Sequence, residues 1–337
     1  MIKNWVIKEQ GGEGEIAHLQ EVLGVTRPIA NLLVQRGITS YEQAKQFFRP
    51  ELSHLHNPFL MKDMDVAVER IMKAVEEKER ILVYGDYDVD GTTAVSLVYS
   101  YFKNFFEHIA YYIPDRYNEG YGVSLEGIDY ARENRVSLII ALDCGIKAVE
   151  RVEYARKSGI DFIICDHHTP GEKIPEAIAV LDPKREDCHY PFKELSGCGV
   201  GFKLIQAYQQ KMNKPFEEIE RYLDITAISI ASDIVPIIDE NRVLTYFGLK
   251  RINENPSVGI KTILDIANIK KKEITVEDIV FRIGPRINAA GRMESGMRSV
   301  DLLIASDRNI AMGIAGEINV HNSNRRNIDT SITQEAV

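Results

Sequence analysis

Three short apolar runs in this chain each end on acids or imidazoles. Ile81-Leu-Val-Tyr84 leads into Asp86-Tyr-Asp88-Val-Asp90-Gly91, Ser137-Leu-Ile-Ile-Ala-Leu142 into Asp143-Cys144-Gly145, and Ile160-Asp-Phe-Ile-Ile-Cys165 into Asp166-His167-His168. Between the runs lie stretches with apolar residues at three- and four-residue spacing, the period of a helix. Short apolar strands separated by helices of ten to fifteen residues require right-handed crossovers and a parallel sheet. Strands this apolar are covered on both faces. The expected class is therefore α/β, a mainly parallel sheet flanked by helices. In such sheets ligands sit beyond the carboxyl ends of the strands, and all three polar clusters fall there.

The spacing within the first cluster is informative by itself. Side chains of a strand alternate, so Asp86, Asp88 and Asp90 would face one way if the extended geometry continued. Converging like charges are tolerable when a multivalent cation lies between them, because hard divalent ions prefer oxygen ligands. Taken alone, the stretch is equally an acidic, solvated loop. Asp143 alone suits a helix cap, and Asp166 alone suits a turn before Thr169-Pro170-Gly171. Their joint placement at one sheet edge favours a metal centre. Adding histidine to carboxylates moves the preference from magnesium or calcium toward manganese, iron or zinc. Two ions could share a bridging carboxylate, for which Asp143 is a candidate. A further acid, Asp233 in Ile230-Ala-Ser-Asp-Ile-Val-Pro236, ends an apolar helix where it opposes the macrodipole, which favours a special role. Asp224, nearby, reads as a helix-surface acid.

Three segments look like substrate contacts. Pro114-Asp-Arg-Tyr-Asn-Glu-Gly-Tyr-Gly122 follows a strand and carries Arg116. Ser196-Gly-Cys-Gly-Val-Gly201 precedes a helix, and Gly197 and Gly199 either offer N–H groups to an anion or allow close packing. Gly284-Pro-Arg-Ile-Asn-Ala-Ala-Gly-Arg-Met293 reads as a loop whose Arg286 and Arg292 suit bidentate phosphate binding. Arg282 to Arg298 is an arginine cluster with Glu294 as its single acid. This cluster matters because the formal net charge of -9 would otherwise argue against a nucleic-acid partner.

Residues 1–62 read as an N-terminal helical segment, with Ser40 capping a helix that Arg49-Pro50 ends. Beyond Gly197 the chain turns helical, and from about Arg308 it reads as one long polar helix. No run suits a membrane span, and the start lacks the apolar core of a secretion signal. The four cysteines form no Cys-x-x-Cys pair, which fits reduced thiols in a cytoplasmic protein better than a zinc site.

In order and spacing, Gly85-Asp-Tyr-Asp-Val-Asp-Gly91, Leu142-Asp-Cys-Gly145, Asp166-His167-His168 and Ala231-Ser-Asp233 resemble the four motifs of the DHH phosphoesterases. Glu119-Gly-Tyr-Gly122, Gly197-Cys-Gly-Val-Gly201 and Gly284–Met293 narrow the resemblance to the bacterial branch that degrades single-stranded DNA from the 5′ end. Val89 stands where that pattern often has alanine. The resemblance implies a pair of metal ions, Mn2+ or Mg2+, held by Asp86, Asp88, Asp90, Asp143, His167 and Asp233. His168 would ligate or touch the scissile phosphate, Asp166 would orient the histidines, and Arg116, Arg286 and Arg292 would hold DNA phosphates. It implies a 5′→3′ exonuclease of DNA repair and recombination, releasing 5′-mononucleotides. A single-strand-binding protein and a helicase are the implied protein partners. The expected division is 63–307 for the catalytic domain and 308–337 for the start of a connecting helix, in an N-terminal part of a longer protein. Two other readings remain open: the same chemistry on short oligonucleotides or cyclic dinucleotides, and a non-catalytic binding module.

Overall fold

A computed structural model describes residues 5–269, 271–293 and 296–336. The chain divides into two compact units, Met1–Leu55 and His56–Val337. In the first unit, α1 (Glu13–Leu23), α2 (Arg27–Val34) and α3 (Tyr41–Phe48) enclose a small apolar core of Ile16, Leu19, Ala30, Leu33 and neighbours. Ser40 begins α3 with a capping box, its hydroxyl accepting from Gln43 N while the Gln43 side chain accepts from Ser40 N.

The second unit starts with α4 (Met64–Glu76) and continues β1 (Ile81–Gly85), α5 (Val89–Lys103), β2 (Ile109–Tyr112), α6 (Leu125–Glu133), β3 (Leu138–Leu142), α7 (Val149–Lys157), β4 (Asp161–Cys165) and β5 (Ala179–Leu181). Among the described residues these strands form one parallel sheet of order β2-β1-β3-β4-β5. The central strands β1 and β3 are buried along their whole length, as their unbroken apolar sequence requires. The chain winds outward from β1 to β2, then returns to place β3 on the other side of β1. The strand order therefore reverses between β1 and β3, and a crevice opens at their carboxyl ends. Gly85 pairs with Leu142 there, so Asp86 and Asp143 leave the sheet side by side.

The helices that follow are α8 (Gly197–Lys211), α9 (Leu223–Ser232), α10 (Asp239–Glu254), α11 (Val258–Ile266), a short α12 (Val276–Asp278), a π-helical turn Ile279–Ile283, α13 (Gly284–Met293), α14 (Gly296–Ile304) and α15 (Arg308–Ala336). Two expectations change here. Gly284–Met293 is helical and not a loop, since its proline lies in the first turn, where the missing N–H costs nothing. Asp224 is buried and not on a helix surface. Helix α9 is apolar on all sides and packs against α5, α8 and α10, so no face of it is wet. The Asp224 carboxylate instead accepts from Ser257 N at 2.9 Å.

Helix α8 is pinned by a buried ion pair. Lys203 Nζ lies 2.7 Å from Glu240 Oε1, both side chains fully buried, and donates to His56 O at 2.7 Å. Glu240 also accepts from Tyr190 Oη at 2.5 Å and His56 N at 2.9 Å. Burial pushes the ammonium of Lys203 down, and the charge and hydrogen bond of Glu240 offset part of that cost. The pair fixes α8 against α10 and so holds its N-terminus at the crevice.

Candidate metal centre

Extended geometry stops at Gly85, so the three acids of the first motif do not share a strand face. Helix α5 begins at Val89, and Asp88 is its N-cap, accepting from Gly91 N at 3.0 Å. The turn is tight: a Cβ on Gly91 would stand 2.5 Å from Asp86 O. Asp86 is left buried at the strand end with no hydrogen-bond partner on either carboxylate oxygen. Asp90, in the first turn of α5, points toward the N-terminus of α8. Its Oδ1 accepts from Cys198 N at 2.8 Å and Ser229 Oγ at 2.6 Å, and its Oδ2 from Gly197 N at 2.6 Å.

Asp143 adopts φ +58° and does not cap α7, whose N-cap is Ala148. Its carboxylate is buried, and Oδ1 lies 3.2 Å from His167 Nε2 without hydrogen-bond geometry. The same His167 nitrogen is 3.6 Å from Asp90 Oδ2 and 3.7 Å from Asp233 Oδ2. Asp233 is the C-cap of α9. One imidazole nitrogen thus faces three carboxylates delivered by β3, α5 and α9, and neither ring nitrogen has a partner.

Asp166 is used differently. Its Oδ1 accepts from His167 N at 2.7 Å, His168 N at 3.1 Å and His168 Nδ1 at 2.7 Å, and its Oδ2 from Ile146 N at 2.9 Å. The bond to Nδ1 fixes the proton there and turns His168 Nε2 outward. That nitrogen meets Tyr121 Oη at 3.3 Å.

The electrostatics follow from this crowding. Burial, then the charge of Asp88, pushes Asp86 up to about 7. Burial, then Asp90, pushes Asp233 up to about 7 and raises Asp88. Asp143 is driven well above the ordinary carboxylate range by burial and by Asp90 and Asp88. His167 is lowered, chiefly by burial. His168 is raised, first by its bond to Asp166. Burial works against the charge on Asp166, but the hydrogen bond and charge of His168 bring it below the usual value.

Unpartnered buried carboxylates and imidazole nitrogens are what a divalent cation satisfies. Two sets of donor atoms lie within 4.8 Å of one another: Asp143, His167 and His168, and Asp90, His167 and Asp233. The donors present therefore fit metal ions. Both Asp90 oxygens accept hydrogen bonds, Oδ1 from α8 and α9 and Oδ2 from Gly197 N, and Oδ2 also faces His167.

The expected substrate contacts are placed variously. Arg116 stacks over the Tyr87 ring at 5.1 Å and lies within electrostatic reach of Asp86. The Gly197 N–H is taken by Asp90 and the Gly199 N–H by Ser196 Oγ at 3.1 Å, so the anion at the head of α8 is the protein's own carboxylate. Close packing is the reason for Gly197: an added Cβ would stand 2.6 Å from Asp143 Cβ. Gly197→Ala is expected to cost about 1–3 kcal/mol and to weaken metal binding, measured by thermal denaturation with and without Mn2+. Arg286 donates from Nη1 to Arg282 O at 2.6 Å and from Nε to Asn319 Oδ1 at 3.2 Å. The side chain of Arg292 lies outside the described residues.

Several contributors carry no sequence signal of their own. Asn288 Oδ1 accepts from Val89 N at 3.1 Å, so α13 caps α5, and Gly291 lets α13 lie against Tyr87 O. Ser229 holds Asp90. Lys184 places positive charge toward His167 and Asp233. A cavity of about 540 Å3 borders the centre, with Tyr121, Cys144, Lys147, Arg151 and His168 on its walls.

The sequence profile of the DHH family, N-terminal domain, matches residues 80–230, the span from β1 to α9 that builds this centre. The chain carries a DHH-family domain. Over 333 residues the protein is 36% identical to the single-stranded-DNA-specific exonuclease RecJ of Bacillus subtilis, covering 99% of this chain and 42% of that relative. A crystal structure of exonuclease RecJ bound to manganese superposes with a TM-score of 0.76 at 29% identity, over 85% of this chain and 71% of that one. RecJ from Thermus thermophilus in complex with Mn2+ gives 0.81 at 25% identity, over 96% and 46%. The chain thus spans less than half the length of the Bacillus relative. Among the described residues, no helix of the DHH domain or its flanks is long and apolar enough to cross a membrane.

Proposed function

We propose that this chain hydrolyses the phosphodiester at the 5′ end of single-stranded DNA, releasing 5′-mononucleotides in a 5′→3′ direction. The observation that carries the reading is the meeting of Asp143, Asp90 and Asp233 at His167 Nε2, 3.2–3.7 Å away, within a domain of DHH type. Relatives of this sequence are single-stranded-DNA-specific exonucleases, and similar solved structures hold manganese.

Asp86, Asp88, Asp143, His167 and Asp233, with Asp90 through Oδ2, would hold two divalent ions, Mn2+ or Mg2+. Bound there, such ions lower the pKa of water and neutralise charge on the phosphate oxygens. The chain's own residues do the rest. Asp166 keeps the proton of His168 on Nδ1 and raises its basicity, so that a second proton on Nε2 can be presented to the phosphate. The closed packing of Gly197 against Asp143 keeps that carboxylate facing His167. Arg116 and the arginines of α13, Arg286 and Arg292, would draw the strand in through its phosphates. Residues 63–307 would be the catalytic domain, 1–62 an N-terminal helical segment, and 308–337 a connecting helix. The setting would be cytoplasmic DNA repair and recombination, with a single-strand-binding protein and a helicase as partners.

The test is a nuclease assay of the chain with Mn2+ on single strands labelled at either end, on duplex and on dinucleotides. Labelled mononucleotide should appear first from the 5′-labelled single strand, and chelation should abolish it. Faster hydrolysis of dinucleotides than of long strands would replace the proposal by a small-substrate phosphodiesterase.

A further inference from the structure

Ile234 combines two unfavourable features. It lies just past the C-cap of α9 with φ +60°, the left-handed region, where a β-branched residue is a genuine outlier. Its side chain is also 79% exposed, so little packing offsets that strain. Glycine is the usual residue at this position after a helix and would give the same backbone turn without the steric cost. Aiming the neighbouring Asp233 therefore does not require isoleucine. Strain held where it stabilises nothing points to a use for the side chain itself.

Its location says what that use is. Asp233 Oδ2 lies 3.7 Å from His167 Nε2, and Ile234 is the next residue along the chain. The π-helical turn Ile279–Ile283 packs on the same end of α9, where a Cβ on Gly284 would stand 2.7 Å from Ser232 Oγ. Single π-helical turns are frequent at functional sites. This one displays another large apolar side chain, Phe281, at 66% exposure. An apolar group beside a phosphate-binding centre meets the nucleoside that the phosphate carries. In a single strand the faces of the bases are open to such contact, whereas in a duplex they are stacked.

We propose that Ile234 is a substrate-positioning residue that packs its side chain on the face of a nucleobase next to the phosphate held at the Asp233–His167 centre. The inference rests on the nuclease reading above and adds a residue that favours unpaired substrate.

The experiment compares wild type, Ile234→Gly and Ile234→Leu in the full chain, by melting temperature and by steady-state kinetics on a 5′-labelled single strand with Mn2+. Ile234→Gly should melt roughly 2 °C higher through relief of strain. Its KM should rise about fivefold with kcat changed by less than about twofold, the pattern of lost ground-state binding. Ile234→Leu, which restores an apolar side chain, should return KM to near the wild-type value. A higher melting temperature with unchanged KM in Ile234→Gly would overturn the inference and leave the nuclease reading intact. A wild-type chain inactive on single strands would overturn both.

Discussion

Asp143→Asn should lower nuclease turnover by roughly 10³-fold, about 4 kcal/mol of barrier, and should raise the melting temperature of the metal-free protein. The two effects have one cause. Asp143 is buried, its Oδ1 lacks a hydrogen-bond partner, and its neighbours Asp90 and Asp88 are also acidic. Such a carboxylate is costly in the empty fold and is valuable when a cation lies against it. Asparagine keeps the shape, tolerates φ +58° and removes the charge. Paired assays of kcat and thermal denaturation in chelator test both halves. Wild-type turnover in Asp143→Asn would remove the catalytic proposal. A lower metal-free melting temperature would show that the carboxylate is structural.

Saturating Mn2+ should raise the melting temperature by about 5 °C or more at pH 8, and by much less at pH 5. Asp86 and Asp233, each pushed up to about 7 by burial and by a neighbouring acid, hold protons in the folded state that the unfolded chain has already released. Their contribution therefore makes stability fall as pH rises from about 4 to 7. Below that window both states are protonated and the penalty vanishes; above it the penalty is complete. A cation removes the penalty where the carboxylates are ionised and competes with protons where they are not. Asp166 works in the opposite sense, since its lowered value contributes stability above the usual carboxylate pKa that is lost in stronger acid. Equal Mn2+ shifts at both pH values would contradict the arrangement.

Much of this was legible in the chain, for identifiable reasons. Short apolar runs that end on polar residues and alternate with helical stretches fit covered parallel strands, and β1, β3 and β4 carry their acids and imidazoles to one edge. Asp233 could be singled out because an acid at a helix C-terminus runs against the dipole. The rest failed where tertiary context decides. Side-chain alternation puts Asp86, Asp88 and Asp90 on one face only if the extended geometry continues, but the strand ends before them and Asp90 turns to the N–H groups at the head of α8. Asp224 lies on a helix with no wet side, which single-sequence periodicity cannot distinguish from a surface position. The ligand at the Gly197 N–H is 107 residues away in sequence, and Asn288 reaches Val89 across 199; no local pattern encodes such contacts.

The sequence distance between the donors has a kinetic consequence. Asp143 and Asp233 face one imidazole nitrogen, yet β3 and β4 must be in register before they and His167 meet. Contacts of this separation form late, after much loop-closure entropy has been lost. A nascent or partly folded chain has no precursor of the site, so metal is captured by the finished sheet and cannot template its assembly. Refolding rates should then be indifferent to Mn2+, while unfolding slows in its presence.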